Sequence, residues 1–211
     1  MPHDHSHSPS GHPYRPDDDQ PLSYWQRMEI ALRELLIEKG HMTAAEIAAE
    51  VEDMAGRSPA DGARVVARAW VDAEFRAHLL SDASAATRAM GLDIGALHLI
   101  AVENTEDVHN IVVCTLCSCY PRNLLGLPPD WYKSRAYRSR AVKEPRGVLA
   151  EFGVTLPDDI TIRVHDSTAD MRYVVLPRRP AGTDGWSEER LAALVTRDSM
   201  IGTGLPRPAD A

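Results

Sequence analysis

The chain is 211 residues long and carries 31 acidic against 23 basic side chains, a formal net charge of −8 at neutral pH. That balance argues against nucleic acid as a partner. The sequence has no apolar run long enough to span a membrane and no basic start followed by an apolar signal core, so residence in the cytoplasm, away from any membrane, is expected.

A chain of this length buries one good core plus an appended arm. Residues 1–20 are rich in His, Pro, Ser and Asp and lack the apolar content to fold alone, which predicts a disordered tail. His3, His5, His7 and His12 could give that tail a loose hold on a divalent metal ion, but a solvated tail is the favoured account.

Residues 21–91 read as a helical arm. Trp25, Met28, Leu32, Leu35 and Leu36 recur at helical spacing, and Gly40 stops the run. Thr43 with Glu46 three residues on is a capping-box signature ahead of Ile47, Val51 and Met54, with Gly56 as the stop. Ser58 is predicted to cap a third helix with Pro59 in its first turn and Val65, Val66, Ala69 and Trp70 on its apolar side. Short helices of this kind bury little by themselves, so the arm is expected to wrap a partner chain.

Residues 92–211 mix strands and helices. Leu97 to Val102 and Asn110 to Val113 read as short strands, the second delivering Cys114 at its end. Lys133, Arg135, Arg138, Arg140, Lys143 and Arg146, interleaved with Trp131, Tyr132 and Tyr137, form a basic stretch; in an acidic chain it is expected to face an acidic partner subunit. Glu144, Pro145 and Arg146 open a helix closed by Gly153. Ile160, Ile162 and Val164 then alternate with polar residues, Asp166 and Ser167 make a turn, and Met171 to Leu176 returns as the next strand. Ser187 caps a last helix. Segregated strands and helices place the chain in the α+β class. His41, His78, His98, His109 and His165 stand singly and read as surface or hydrogen-bonded structural residues.

All three cysteines fall within six residues, Cys114-Thr115-Leu116-Cys117-Ser118-Cys119. Thiolates are soft ligands, so this knot can grip one thiophilic ion from a single side. The turn also brings the Ser118 and Cys119 amides near that ion, and three sulfurs plus two deprotonated amides suit a trivalent, octahedral centre with one open position for substrate. A disulfide within the knot would be short and strained, and a structural zinc would need a fourth ligand that the sequence does not offer nearby; a non-catalytic thiol or zinc-binding module is the corresponding alternative.

Val113-Cys114-Thr115-Leu116-Cys117-Ser118-Cys119-Tyr120-Pro121 resembles the metal claw of the nitrile hydratase α subunit. The likeness extends through Val102-Glu103-Asn104-Thr105, His109-Asn110, Leu125-Gly126-Leu127-Pro128-Pro129-Asp130-Trp131-Tyr132-Lys133, Glu144-Pro145-Arg146, Met171-Arg172-Tyr173 and Arg179-Pro180-Ala181-Gly182-Thr183, covering about Leu22 to the C-terminus. It implies a layered α-β-β-α metal-binding domain after the helical arm. Thr115 is the cobalt-type spelling, implying one low-spin Co(III) per chain held by Cys114, Cys117, Ser118 and Cys119. By the same resemblance Cys114 is a thiolate, Cys117 a sulfinic acid and Cys119 a sulfenic acid, with amide nitrogens from Ser118 and Cys119; all four count as catalytic positions. The implied reaction is hydration of a nitrile to a carboxamide. The implied partners are a β subunit, as one chain or split into two, which completes the pocket, and an activator protein that loads cobalt.

Two departures stand out. Where the family usually has tryptophan three residues after the last claw cysteine, this chain has Arg122, a charged donor on an otherwise apolar wall. The same Pro-Arg pair occurs in the thiocyanate hydrolase γ subunit, so Arg122 is the candidate substrate-binding residue for a polar or nucleoside nitrile, or for thiocyanate if the chain is a γ-type subunit of that enzyme; pairing with a partner's carboxylate is the alternative. Upstream, Gly91-Leu92-Asp93-Ile94-Gly95 stands where relatives carry a glutamine, so an amide near the metal is expected to be missing.

Overall fold

The computed structural model describes residues 21–117 and 119–210. The tail expected over 1–20, with its histidines, lies outside the described residues, as does Ser118. In chain order the elements are α1 (Tyr24–Glu38), α2 (Ala44–Gly56), α3 (Ala60–Val71), α4 (Ala73–Ser81), α5 (Ala83–Ala89), β1 (His98–Glu103), β2 (Val108–Val113), α6 (Arg122–Leu125), α7 (Asp130–Lys133), α8 (Arg135–Lys143), α9 (Pro145–Glu151), β3 (Thr161–Asp166), β4 (Met171–Leu176), α10 (Glu188–Ala192) and α11 (Arg197–Ile201). The chain divides into two compact units between Glu50 and Val51.

In the first unit, α1 opens on a capping box in which the Ser23 hydroxyl accepts from the Gln26 amide and the Gln26 side chain accepts from the Ser23 amide. None of the α1 residues is buried, and Trp25 on its apolar stripe is 79% exposed. The box predicted at Thr43 is present: Glu46 N–H donates to Thr43 Oγ1 at 3.1 Å, and Thr43 N–H to Glu46 Oε2 at 2.7 Å. These two reciprocal bonds satisfy donors that every helix start leaves open.

The second unit holds all four strands, in two parallel pairs: β1 with β4 and β2 with β3. Helices α4 and α5 cover β1, α8 and α9 cover β2 and β3, and the two sheets meet through β2 and β4, which gives the α-β-β-α layering. Asp166-Ser167 does end a strand, but Met171–Leu176 does not fold back on it as a hairpin: β3 runs beside β2 and β4 beside β1, each after a crossover. Parallel strands covered on both faces read as continuous apolar runs, and Ile111, Val112 and Val113 are each at most 2% exposed. Burying each contributes roughly 1.5–3 kcal/mol. The apolar side of α3, led by Val65, Val66 and Ala69, is buried in this same core. Pro59 stands at the N-cap of α3 rather than inside it, and the Ser58 hydroxyl accepts from the Ala60 amide.

A polar chain ties the sheets together. His109 Nε2 lies 2.7 Å from the Gly202 carbonyl oxygen, which can only accept, so this nitrogen carries the proton and Nδ1 accepts from Asn104 Nδ2 at 3.3 Å. Asn104 Oδ1 accepts from the Asn110 amide and side chain, and Asn110 Oδ1 accepts from His165 Nε2 at 2.8 Å. Burial holds both histidines below the ordinary imidazole value. Both are hydrogen-bonded structural residues, as their isolated positions suggest.

Candidate metal centre

The buried run of β2 ends by delivering Cys114, itself 1% exposed, to the base of the loop. The chain then turns outward through Thr115 and Leu116, the latter 88% exposed, and comes back through Cys117 and the half-buried Cys119. The Cys117 amide donates to Cys114 Sγ at 3.3 Å, a bond that closes the turn upon itself. Cys114 Sγ and Cys117 Sγ stand 3.4 Å apart, Cys117 Sγ and Cys119 Sγ 3.1 Å, and all three sulfurs lie within 4.8 Å of one another. Among the described residues this is the one group of three or more His, Cys, Asp or Glu side chains so gathered.

The spacing discriminates between occupants. A disulfide needs about 2.05 Å, and none joins these sulfurs. A tetrahedral zinc with Zn–S near 2.3 Å sets its sulfurs roughly 3.8 Å apart, whereas neighbouring corners of an octahedron with that bond length are roughly 3.3 Å apart. The observed 3.1 and 3.4 Å fit the octahedral edge. Burial and the neighbouring Cys117 and Cys114 push the Cys119 thiol up to about 12, with the charge of Arg172 pulling the other way. Thiols crowded like this resist ionising together, and a bound cation supplies what favours the thiolates. Ser118, expected to give an amide nitrogen, lies outside the described residues.

Residues that the sequence reading assigned to a turn and to a basic stretch, not to the claw, hold the loop from outside. Asp166, at the end of β3, accepts from the Thr115 amide at 2.9 Å and from its hydroxyl at 2.5 Å. Arg138 on α8 donates to the Thr115 carbonyl at 3.4 Å. Beneath, the fully buried Tyr132 donates to the Cys119 carbonyl at 2.9 Å and Tyr137 to the Val112 carbonyl at 2.7 Å. Burial lifts both hydroxyls above the usual phenol range, so they stay protonated donors. Tyr120 stacks edge-on with Tyr132, and Trp131 with Tyr137 and Phe152, forming an aromatic bed under the loop. The aromatic half of the stretch read as a basic patch is therefore core. Of its cations Lys133, Arg135 and Lys143 are exposed and Arg138, Arg140 and Arg146 half-buried; Arg135, Arg138 and Lys143 line an open hollow beside Thr115.

Arg122 opens α6, directly after the loop; its side chain is exposed and makes no ion pair among the described residues. The Asn123 side-chain amide lies beside Gly95: a Cβ placed there would be 3.1 Å from Asn123 Nδ2, and Asn123 shares a small apolar pocket with Arg172 and Pro121.

Comparison with known proteins agrees with this geometry. Residues 23–204 match the family described as nitrile hydratase, alpha chain. The chain is 53% identical over 182 residues to the low-molecular weight cobalt-containing nitrile hydratase subunit alpha of Rhodococcus rhodochrous, covering 83% of this chain and 86% of that one. It is 42% identical over 199 residues to the thiocyanate hydrolase subunit gamma of Thiobacillus thioparus, covering 89% and 82%. Among solved structures, a recombinant thiocyanate hydrolase comprising partially modified cobalt centres superposes with a TM-score of 0.84 at 42% identity, over 89% of this chain and 92% of that one.

Proposed function

The chain belongs to the nitrile hydratase α-chain family, and on that premise we propose that it is the metal-bearing catalytic subunit of a cobalt nitrile hydratase whose substrate is a polar nitrile. The observation that carries this reading is the convergence of three sulfurs within 4.8 Å of one another at the end of a buried strand, two of their separations matching an octahedral edge. Cys114, Cys117 and Cys119, with the amides of Ser118 and Cys119, would hold one Co(III) per chain. Bound there, the ion supplies Lewis acidity toward the nitrile nitrogen.

The chain's own residues do the rest. Tyr132 and Tyr137 fix the carbonyls on either side of the claw, so the sulfurs are presented on a rigid bed. Once an external oxidant such as dioxygen has taken Cys117 to the sulfinic and Cys119 to the sulfenic acid, their sulfurs donate less electron density and carry acceptor oxygens. Arg122 opens α6 directly after the claw and would offer a charge-assisted donor to a polar or anionic group of the substrate. Water adds across the carbon–nitrogen triple bond and the imidic acid tautomerises to the carboxamide, so no atoms leave. Leu116 and Cys117 lie open to solvent in this chain; a β partner, as one polypeptide or two, closes over them, excludes bulk water and gives donors to the oxidised sulfurs. An activator protein loads the cobalt. No helix among the described residues is long and apolar enough to cross a membrane, and the cytoplasm, where free thiols persist, suits a claw awaiting its ion.

The test is metal analysis and intact mass of the protein purified with its partner. One cobalt per chain, with two oxygens added on Cys117 and one on Cys119, is expected; zinc with unmodified thiols refutes it. Arg122 also favours a second reading, a thiocyanate hydrolase γ-type subunit. Amide formed from an organic nitrile supports the first, carbonyl sulfide and ammonia formed from thiocyanate the second.

A further inference from the structure

We infer that Asp166 is a positioning residue that shapes the claw before metal arrives, acting through Thr115 rather than on the ion. Cys114 and Cys117 are separated by two residues, and where their sulfurs point depends on the torsions of that link. Every polar group of the first linking residue is occupied by a partner outside the loop. Thr115 N–H and Oγ1–H donate to the two separate oxygens of Asp166, at 2.9 and 2.5 Å, and its carbonyl accepts from Arg138 at 3.4 Å. The carboxylate is anchored by the fold: Val113 and Asp166 are register partners on β2 and β3, and the Ser167 amide donates to the Val113 carbonyl at 2.7 Å. Cys114 and Asp166 thus leave their strands side by side, and a bidentate, charge-assisted acceptor fixes orientation as well as distance. With Thr115 held, the Cys117 amide falls on Cys114 Sγ, and the three sulfurs converge. Asp166 contributes no ligand atom to the gathered sulfur cluster; its effect is to remove the ordering cost that metal binding would otherwise bear.

The inference rests on the claw being a metal site, and its test keeps the two apart. The metal-free complex with its partner is titrated anaerobically with cobalt(II), following the sulfur-to-metal absorption band. For Asp166→Ala the apparent affinity is expected to fall roughly 10- to 100-fold, the usual cost of losing a residue that orients a ligand. Thr115→Val, which keeps the amide bond and loses the hydroxyl bond, should fall between that variant and the parent, and Thr115→Ser should restore the affinity. If the parent complex itself shows no sulfur-to-metal band, the metal reading fails. If the parent binds and Asp166→Ala and Thr115→Val bind equally well, the positioning role is overturned. Should Asp166→Ala not assemble, the comparison of Thr115→Val with Thr115→Ser decides alone, since Thr115 is exposed and neither change disturbs the core.

Discussion

Gly202 closes α11 at φ +89°, ψ 4°, and a Cβ built on it would lie 1.9 Å from the Asn110 carbonyl oxygen and 2.9 Å from the Ile111 Cα. Those atoms belong to β2, the strand that carries Cys114, so Gly202→Ala asks either α11 or β2 to move. Gly153, at φ +81°, supplies the control because an added Cβ there meets nothing within 4 Å. Placing alanine in the left-handed region costs roughly 1–2 kcal/mol at either position. At Gly202 the displaced backbone adds roughly 1–3 kcal/mol of overpacking. For a chain of this size each kcal/mol lowers the melting temperature by about 2–4 °C. Gly153→Ala should therefore lower it by about 2–8 °C, and Gly202→Ala by about twice as much, measured on the complex with its partner. Cobalt content provides the second readout, falling in Gly202→Ala and holding in Gly153→Ala. Equal melting losses in the two variants would refute the claim that close approach of α11 to β2 supports the site.

Tyr132→Phe removes the part-buried hydrogen bond to the Cys119 carbonyl and should cost about 0.5–1.5 kcal/mol in denaturant unfolding of the complex; a change under about 0.3 kcal/mol would mean that the hydroxyl holds nothing. His109 and His165 have folded values below their unfolded value near 6.5, so the unfolded chain takes up protons first as pH falls. Their contribution to stability is fully present above about pH 6.5 and lost as pH drops through the lower folded values, so melting temperature should fall as the pH is taken below about 6.5. The slope should shrink in His165→Gln; an unchanged slope would place the pH dependence elsewhere. Arg122→Trp removes a charge-assisted donor worth about 1.5–3 kcal/mol and should shift kcat/KM away from a polar or anionic substrate toward an apolar nitrile by roughly 10- to 100-fold. A ratio that stays put would show that Arg122 serves only the partner contact.

What was legible in the sequence was local. Thr43 and Glu46 signal their box because the bonds span three residues, and the knot of cysteines announces itself by spacing alone. Burial was harder to foresee. Val65, Val66 and Ala69 mark an apolar side of α3, but nothing in a helical period says whether that side meets a partner chain or, as here, the core of the same unit. Tyr132 and Tyr137 were hidden by company: with arginines and lysines on either side they read as a surface patch, and only the fold turns their rings inward while Lys133, Arg135 and Lys143 stay exposed. Asn123 beside Gly95 spans 28 positions, too far for any local signal to couple them.

The strand pairing explains why Asp166 in particular could not be foreseen and why it matters. A strand ending in Asp-Ser followed five residues later by another strand invites a hairpin, in which Asp166 would be a turn residue with β4 as its neighbour. Parallel pairing of β3 with β2 instead brings the carboxyl ends of both strands to one edge, the place where open parallel sheets present their functional loops. At that edge Cys114 follows Val113, the register partner of Asp166, so the carboxylate meets Thr115, the residue after the first claw cysteine, across a separation of 51 positions. The claw's shape thus depends on the crossover through α6 to α9 being completed before β3 can dock, and a chain whose β3 has not yet paired should hold three cysteines with no preferred convergence. Metal loading is then expected to follow folding of the second unit rather than to nucleate it: refolding the chain with its partner in the presence of cobalt should give the same rate of backbone recovery, by circular dichroism, as refolding without it. A clear acceleration by cobalt would reverse that order.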